Sequence, residues 1–515
     1  MTRSCEPLDV ERFRVLVGRC LGLQLGEAQQ SALVDVLRRR LDVDGGSPDG
    51  YLDRLESPEL SREERRALAK ELTVGETYFF RDADQLRAFS ASALPERLHA
   101  RSEVRRLRIL SAGCASGEEP YSLAMLIQEH SEAMAWDVSI RAVDVNVKML
   151  EKARRACYSA WSLRATPAEV QKRWFHQRDG EFVLENSVRR MVSFEERNLA
   201  EEDPALWQPE RFDVVFCRNL LMYFTSDSAR ALVGRIARSL TRGGVLFLGH
   251  AETLRGLSQE FHLLHTHGAF YYQRKGAPVA DSVDSRLRAP NRSPLECGPP
   301  LATFLQETDS WVETIHRAAE RVRTLTEATA RSGSIAPQSG QRDGATRPVW
   351  DLSQAIELLQ REQYSESLAV VRALPPESMH DPDVLLLRAV LLTHSGSLVE
   401  AAQTCTEALR IDELNAAAHY LLALCREGLG DHKAAMDHDE VAIYLDPSFA
   451  MSHLHLGLLA RRAGDRRTLR RELEQALVLL QQEEASRLLL FGGGFSREAL
   501  VGLCRAELAI CGNVP

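Results

Sequence analysis

Three glycines place the strongest constraint on this chain. Gly396, Gly430 and Gly464 stand 34 residues apart, and the same step relates Ala401 to Ala435, Ala408 to Ala442 to Ala476, and Asp412 to Asp446. A fixed period of that length marks stacked supersecondary units, each too small to bury its apolar face alone. In every unit the glycine falls at the turn between two helices, where positive φ suits it, and the small alanines let paired helices touch. About three units fit beyond residue 350, with 350–375 as a partial or capping unit and 485–515 as a helical end.

A helix pair of this period has the tetratricopeptide length, so residues 350–484 are assigned to such repeats. The rest of the chain follows other rules. Phe13, Leu16, Val17 and Cys20 fall at i, i+3, i+4, i+7, and Leu33, Val36, Leu37 and Leu41 mark a second apolar stripe, which predicts an all-α domain over 1–90. From Arg106 onward β-rich runs (RLRIL, VSIRAVDV, FDVVFC, VLFLGH, AFYYQR) alternate with helical ones, the pattern of an α/β domain with a parallel sheet over 91–275. Residues 276–349 read as linker, with one helix expected over 304–330.

At 515 residues with 44% hydrophobic and 27% charged residues, the chain is expected to be a multidomain globular protein. A net charge of −9 gives it no electrostatic case for coating nucleic acid or an anionic membrane. Its ten cysteines show no CxxC pair, which reads as reduced thiols in a cytoplasmic protein. The N-terminus lacks the apolar core of a signal peptide, and no apolar run reaches the roughly 18 residues of a membrane span.

The strand Arg106–Leu110 runs into the loop SAGCASGEEPYS and then a helix with Pro120 in its first turn. In a doubly wound sheet such a loop lies where ligands bind, and Gly113 and Gly117 let a ligand approach the backbone. Glu118 and Glu119 repel a pyrophosphate and suit a cationic or zwitterionic ligand; equally, they are two solvated glutamates favoured by a helix dipole. Asp144, 31 residues after Gly113, ends the second strand, where a carboxylate accepts ribose hydroxyls. Together these features suit an adenosyl ligand without phosphates.

TYFFR at 77–81, SAGCASGEEPYS, VDVN at 143–146 and FCRNLLMYF at 216–224 stand in the order in which the chemotaxis receptor glutamate methyltransferase family carries its motifs, and residues 10–275 resemble that family. The resemblance implies a Rossmann-like methyltransferase sheet with a small antiparallel β-subdomain at about 165–193, S-adenosylmethionine as cofactor, and glutamates of a methyl-accepting receptor as acceptors. It carries cofactor contacts to Thr77, Arg81, Gly113, Glu119, Asp144, Asn198, Leu199, Arg218 and Asn219, and places Arg81 and Tyr223 at the reaction centre. Gly75 departs from the family, where relatives often present an asparagine.

The chemistry demands little. A glutamate with a pKa of about 4.3 is already an anion, and the cofactor activates its own methyl group, so no general base is required. The task is to align oxygen and methyl carbon at about 3 Å without water, with Arg81 orienting the carboxylate and the Tyr223 hydroxyl lining the transfer position.

Arg38, Arg39, Arg40, Arg65, Arg66 and Lys70 are read as solvated helix faces in preference to a surface for acidic receptor helices. His262, His265 and His267 are expected to precede a strand, and no metal is expected. The hairpin at 178–181 is short, so no dependence on a receptor tail peptide is predicted. The repeats are expected to dock a protein or peptide partner. Two alternatives remain at this point: transfer to another carboxylate or a small molecule, and a signalling scaffold that only senses cofactor. Nothing demands more than a monomer.

Overall fold

The computed structural model describes residues 7–25, 30–57, 62–73, 75–130, 132–250, 252–276 and 350–512. They fall into two compact units, one on each side of the 277–349 stretch. The helix expected over 304–330 lies outside the described residues.

The first unit opens with α1 (Pro7–Leu21), α2 (Gln30–Asp44), α3 (Pro48–Glu56) and α4 (Arg62–Leu72). Both apolar stripes turn inward: Phe13, Val17, Leu37 and Leu41 are fully buried, with Cys20 packed against their cluster. Ser47 caps α3 by accepting from Gly50 N, and Pro48 follows it in the first turn, where no N–H is missed. The arginines are not simply solvated. Arg39 meets Glu71 at 2.7 Å, Arg40 pairs with Glu64, and Arg65 and Arg66 reach Glu201 and Glu196, tying the helices to the sheet that follows.

That sheet runs β6–β2–β1–β7–β8–β10–β9, where β1 is Arg106–Ala112, β2 Asp137–Asp144, β6 Val192–Glu196, β7 Phe212–Cys217, β8 Leu240–Leu248, β9 Phe261–Thr266 and β10 Ala269–Arg274. The first five strands in that order are parallel, with Ile109 opposite both Ile140 and Val214, and β10 pairs antiparallel to β8 and β9. Helices α5 (Ala83–Ala88) and α6 (Leu94–Ala100) lead into the sheet, and α7 (Glu118–Glu129), α8 (Val147–Arg155), α9 (Ala168–Trp174), α10 (Asn186–Arg189) and α11 (Ser226–Ser239) lie between its strands. Every residue of β7 is buried, because helices cover both faces. The order reverses between β1 and β7, which opens a crevice at their carboxyl ends.

Two features refine the sequence reading. The three histidines precede β10 as expected, and His262 and His265 also lie within a strand not read from the sequence, β9, with His267 in the turn after it. His265 stacks on Phe270 at 4.2 Å, and burial holds it neutral by lowering its pKa to about 4. The small antiparallel sheet, β3 (Cys157–Tyr158), β5 (Glu181–Leu184) and β4 (Phe175–Arg178), begins before residue 165, since its two-residue first strand has no pattern to read. Asp179 and Gly180 both have positive φ in the tight turn that joins β4 to β5.

The second unit is built from helix pairs: α12 (Ser353–Gln360) with α13 (Tyr364–Arg372), α14 (Pro382–His394) with α15 (Leu398–Ile411), α16 (Ala416–Gly428) with α17 (His432–Leu445), and α18 (Ala450–Arg462) with α19 (Arg466–Leu480); α20 (Ala485–Phe491) and α21 (Arg497–Gly512) follow. Gly396, Gly430 and Gly464 occupy the intrahelical-pair turns at φ of 74°, 86° and 76°. One period earlier, Glu362 takes the same turn at φ 59°. The first pair is therefore in register with the others, and the glycine period missed it because a glutamate stands where glycine would.

The repeats are also stitched by buried charge. His455 of α18 lies 2.6 Å from Asp439 of α17 and 3.2 Å from Glu427 of α16, and Glu427 pairs with Arg462. Burial alone would lower the His455 pKa, but the two carboxylates outweigh it and push it up to about 10.

Two outcomes follow. A left-handed L residue costs about 1 kcal/mol, so Glu362→Gly should raise the unfolding midpoint of the repeats and Gly430→Ala, where open space surrounds the missing Cβ, should lower it, both read by calorimetry. Because His455 is protonated in the fold well above its ordinary range, its contribution is complete below pH ~6.5 and is lost as pH rises through about 10. Thermal midpoints measured at pH 7 and pH 10.5 should drop for the wild type and drop less for His455→Gln.

Candidate functional site

The site begins where β1 ends. Gly113 N and Cys114 N both donate to Val143 O at 2.9 and 3.0 Å, which folds the loop back over the end of β2. Gly113 has φ 78°, and Ala115, at φ 44°, donates its N–H to Asp144 Oδ2 at 2.8 Å. Asp144 Oδ1 accepts from Asn146 N at 2.8 Å. Gly117, φ 92°, precedes α7 (Glu118–Glu129), and a Cβ there would sit 2.9 Å from Ala153 Cβ.

The glutamate pair is not solvated. Glu118 is fully buried, accepts from Ser116 Oγ at 2.7 Å and Ser162 Oγ at 3.2 Å, and lies 3.8 Å from Lys152 Nζ, so it braces the loop. Glu119 accepts from Ser111 Oγ at 2.7 Å and faces Arg218 Nη1 at 3.5 Å. Burial raises the carboxyl pKa of Glu119, against the pull of Arg218 and Ser111.

Arg218, at the end of β7, is the hub. It is nearly buried, donates to Arg81 O at 2.8 Å, and pairs with Asp82 as well as Glu119. The 77–82 segment it holds is anchored by Phe79, whose ring stands edge-on to Tyr158 at 4.8 Å and Phe175 at 5.0 Å. Phe80 and Asp82 flank Arg81 with φ of 57° and 59°, and Asn219 has φ 54°. Left-handed backbone at non-glycine positions costs about 1–3 kcal/mol each and persists where surrounding contacts enforce it. At Asn219 the enforcing group is Glu252, a buried carboxylate that accepts from Asn219 N at 2.7 Å, Gly249 N at 2.8 Å and Met222 N at 3.2 Å.

The resulting cleft has two lobes that share Gly113, Ala115 and Asn219. The larger, about 910 Å³ with its open mouth, is walled by Leu23, Leu25, Met149, Leu220 and Phe224 and includes Asp144, Asn198, Leu199 and Tyr223. The smaller, about 550 Å³, is polar and includes Thr77, Arg81, Glu119 and Arg218. Every residue that the resemblance assigned to the cofactor or the reaction centre therefore lines one cleft, but Arg81 and Tyr223 stand in different lobes, and Gly117 and Glu118 lie outside it. Asn198 has little side chain to offer a ligand: its amide donates to Cys20 O and Glu201 Oε1, both at 3.0 Å, and accepts from Ala200 N. At Gly75 a Cβ would lie 2.8 Å from Met149 Cε, so the methionine fills the place a larger residue would take.

Glu252, Asp82 and Met149 were not found from sequence. Glu252 lies in HAETL, outside every motif, and only its hydrogen bonds reveal it.

The description "CheR methyltransferase, SAM binding domain" matches residues 75–270. Over 206 residues the chain is 38% identical to Chemotaxis protein methyltransferase 2 of Vibrio cholerae, covering 39% of this chain and 70% of that protein. The chain belongs to the CheR chemotaxis methyltransferase family. A second CheR-family relative, the probable biofilm formation methyltransferase WspC of Pseudomonas putida, is 27% identical over 472 residues, 91% of this chain and 98% of that one. Among solved structures, PcrH from Pseudomonas aeruginosa aligns over 27% of this chain and 96% of its own at 17% identity and a TM-score of 0.23.

As a CheR-family enzyme the protein is an S-adenosylmethionine-dependent protein methyltransferase, and the cleft fits that cofactor. An adenosine requires apolar walls with a carboxylate for its ribose, which the larger lobe has. A zwitterionic tail requires both signs of charge, which Glu119 and Arg218 supply, and the buried Arg218 Nε has no protein partner.

Glu252 does not line the cleft, yet Glu252→Ala removes three hydrogen bonds to the backbone that shapes it. At about 1 kcal/mol or more for each such loss, affinity for S-adenosylhomocysteine should fall at least tenfold by calorimetric titration. An unchanged affinity would remove Glu252 from this account.

Proposed function

We propose that the CheR-family unit methylates glutamate side chains on the cytoplasmic helical region of a methyl-accepting receptor, and that the repeats dock a protein partner of the same signalling assembly. The observation that carries the acceptor assignment is Arg81. Its guanidinium stands in the polar lobe, donates to Glu76 O at 3.1 Å and lies 5.8 Å from the Tyr78 ring. With five N–H donors, a guanidinium so placed has capacity left for an incoming carboxylate.

S-adenosylmethionine, when bound, supplies a methyl group already activated by its sulfonium. The chain's residues do the rest. Arg81 orients the carboxylate with charge-assisted hydrogen bonds and lowers the entropy of alignment. Glu119 and Arg218 hold the charged ends of the donor in the polar lobe, and Asp144 takes its ribose. Leu23, Leu25, Leu220 and Phe224 exclude water from the larger lobe. Tyr223 lines that lobe, and in this reading its hydroxyl borders the transfer position.

The two-residue turn at Asp179–Gly180 leaves no long loop to grip a receptor tail, which supports activity on tail-less receptors. The near full-length likeness to a relative named for biofilm formation supports an acceptor in that kind of signalling. A cytoplasmic location accords with this reading, and among the described residues no helix is long and apolar enough to cross a membrane.

The test incubates the full chain with methyl-labelled S-adenosylmethionine and receptor cytoplasmic fragments, with and without their tails, and scores base-labile methyl release. Arg81→Ala should lower kcat/KM about 100-fold, the scale of losing hydrogen bonds to a charged group, Arg81→Lys should recover part of it, and Tyr223→Phe should cost less. Donor binding without transfer to any cognate receptor would favour the scaffold reading, and transfer only to small carboxylates would favour the other.

A further inference from the structure

The first helices of the three glycine-marked repeats, α14, α16 and α18, contribute to one apolar face, and the chain covers that face with its own α20. Phe491 is the anchor. Its ring stands 5.3 Å from Phe449 at the start of α18 and 6.1 Å from Tyr420 of α16, and Tyr420 OH donates to Phe491 O at 3.2 Å. Four residues earlier Arg487 lies 4.6 Å over the Phe449 ring and meets Asp446 at 2.7 Å. Leu490, Phe491 and Gly493 reach the far end of the face at Val390, Thr393 and His394 of α14.

Several features set this segment apart from a core helix. Its N-terminus has no side-chain cap, and Leu488, Leu489 and Leu490 are only half-buried. Its two ends are held together independently of it: Arg497 of α21 donates to Leu480 O at 3.1 Å, Gln481 O at 2.7 Å and Glu483 O. Residues 484–496 thus form a closed excursion that can leave while α19 and α21 stay joined. Gly492, Gly493 and Gly494 follow directly, and the last two adopt φ of 63° and 80°.

We propose that α20 occupies, in cis, the peptide-docking groove of the repeats, and that the partner is a helical segment carrying an arginine four residues before an aromatic, which displaces it. This deepens the docking half of the function proposed above and rests on it. The partner's arginine takes Asp446 and the Phe449 face, its aromatic takes the Tyr420–Phe449 notch, and the groove opens only when such a segment competes with the chain's own. Docking affinity is thereby set by displacement, so a partner must bind better than α20 does.

The probe is a labelled peptide with the sequence of residues 484–496, titrated by fluorescence anisotropy against the full chain. Arg487→Glu combined with Phe491→Ala should bind it at least tenfold more tightly than the wild type, and adding Asp446→Lys should weaken binding again. Hydrogen exchange on the wild type, which needs no variant to fold, should show residues 485–495 exchanging ahead of α16 and α18. Equal binding by wild type and variant, binding by neither, or exchange of 485–495 only on global unfolding of the repeats would overturn the proposal. A partner that binds the wild type without competition from the peptide would also overturn it, while leaving docking by the repeats intact.

Discussion

The cleft depends on one buried guanidinium. Arg218 gathers Asp82, the Arg81 carbonyl and Glu119 around the end of β7, and so joins three segments far apart in sequence. Removing a partner from such a cluster leaves a charge stranded in low dielectric, which costs far more than the intact cluster contributes. The arrangement is therefore all or none. It also explains how Phe80, Asp82 and Asn219 are held in left-handed backbone without glycine: ion pairs and the Glu252 carboxylate leave the chain no relaxed alternative.

Much of this is legible in the sequence alone. The apolar stripes of α1 and α2, the β-rich runs of five strands and the glycine period each follow from spacing alone, because burial on one face imposes its rhythm on the residues. The loop from Gly113 to Pro120 was legible because glycines and a first-turn proline report backbone shape directly. What escaped reading was whatever depends on partners distant in sequence. Nothing near Glu252 says that it will hold Asn219, and nothing in Glu118 distinguishes a brace from a solvated anion. Strand β9 was hidden by two histidines that interrupt its apolar residues, and the first helix pair read only as a partial unit because a glutamate stands at its turn. Asn198, which the family resemblance placed against the ligand, lines the larger lobe with its amide engaged by Cys20 and Glu201.

The two units solve the problem of buried polarity differently. In the methyltransferase unit one set of buried charges stands at a ligand cleft, where Arg218 Nε is left without a hydrogen-bond partner and Glu119 is kept near a cation. In the repeats they face one another: His455, Asp439, Glu427 and Arg462 form a closed set across α16, α17 and α18. A closed set of this kind fixes which helix sits beside which, a useful property where successive repeats are nearly interchangeable in shape.

The position of Glu252 also bears on synthesis. During translation β7 and the Arg218–Tyr223 turn emerge well before the carboxylate that shapes them, and before β10, which must enter between β8 and β9. A nascent chain ending near residue 245 would have most of its parallel sheet but no ordered floor to the cleft. Domains generally fold as units, N-terminal first, as they leave the ribosome. Cofactor binding can thus begin only once Glu252 has emerged to hold Asn219, Gly249 and Met222, and a ribosome-bound chain should acquire it abruptly rather than by degrees.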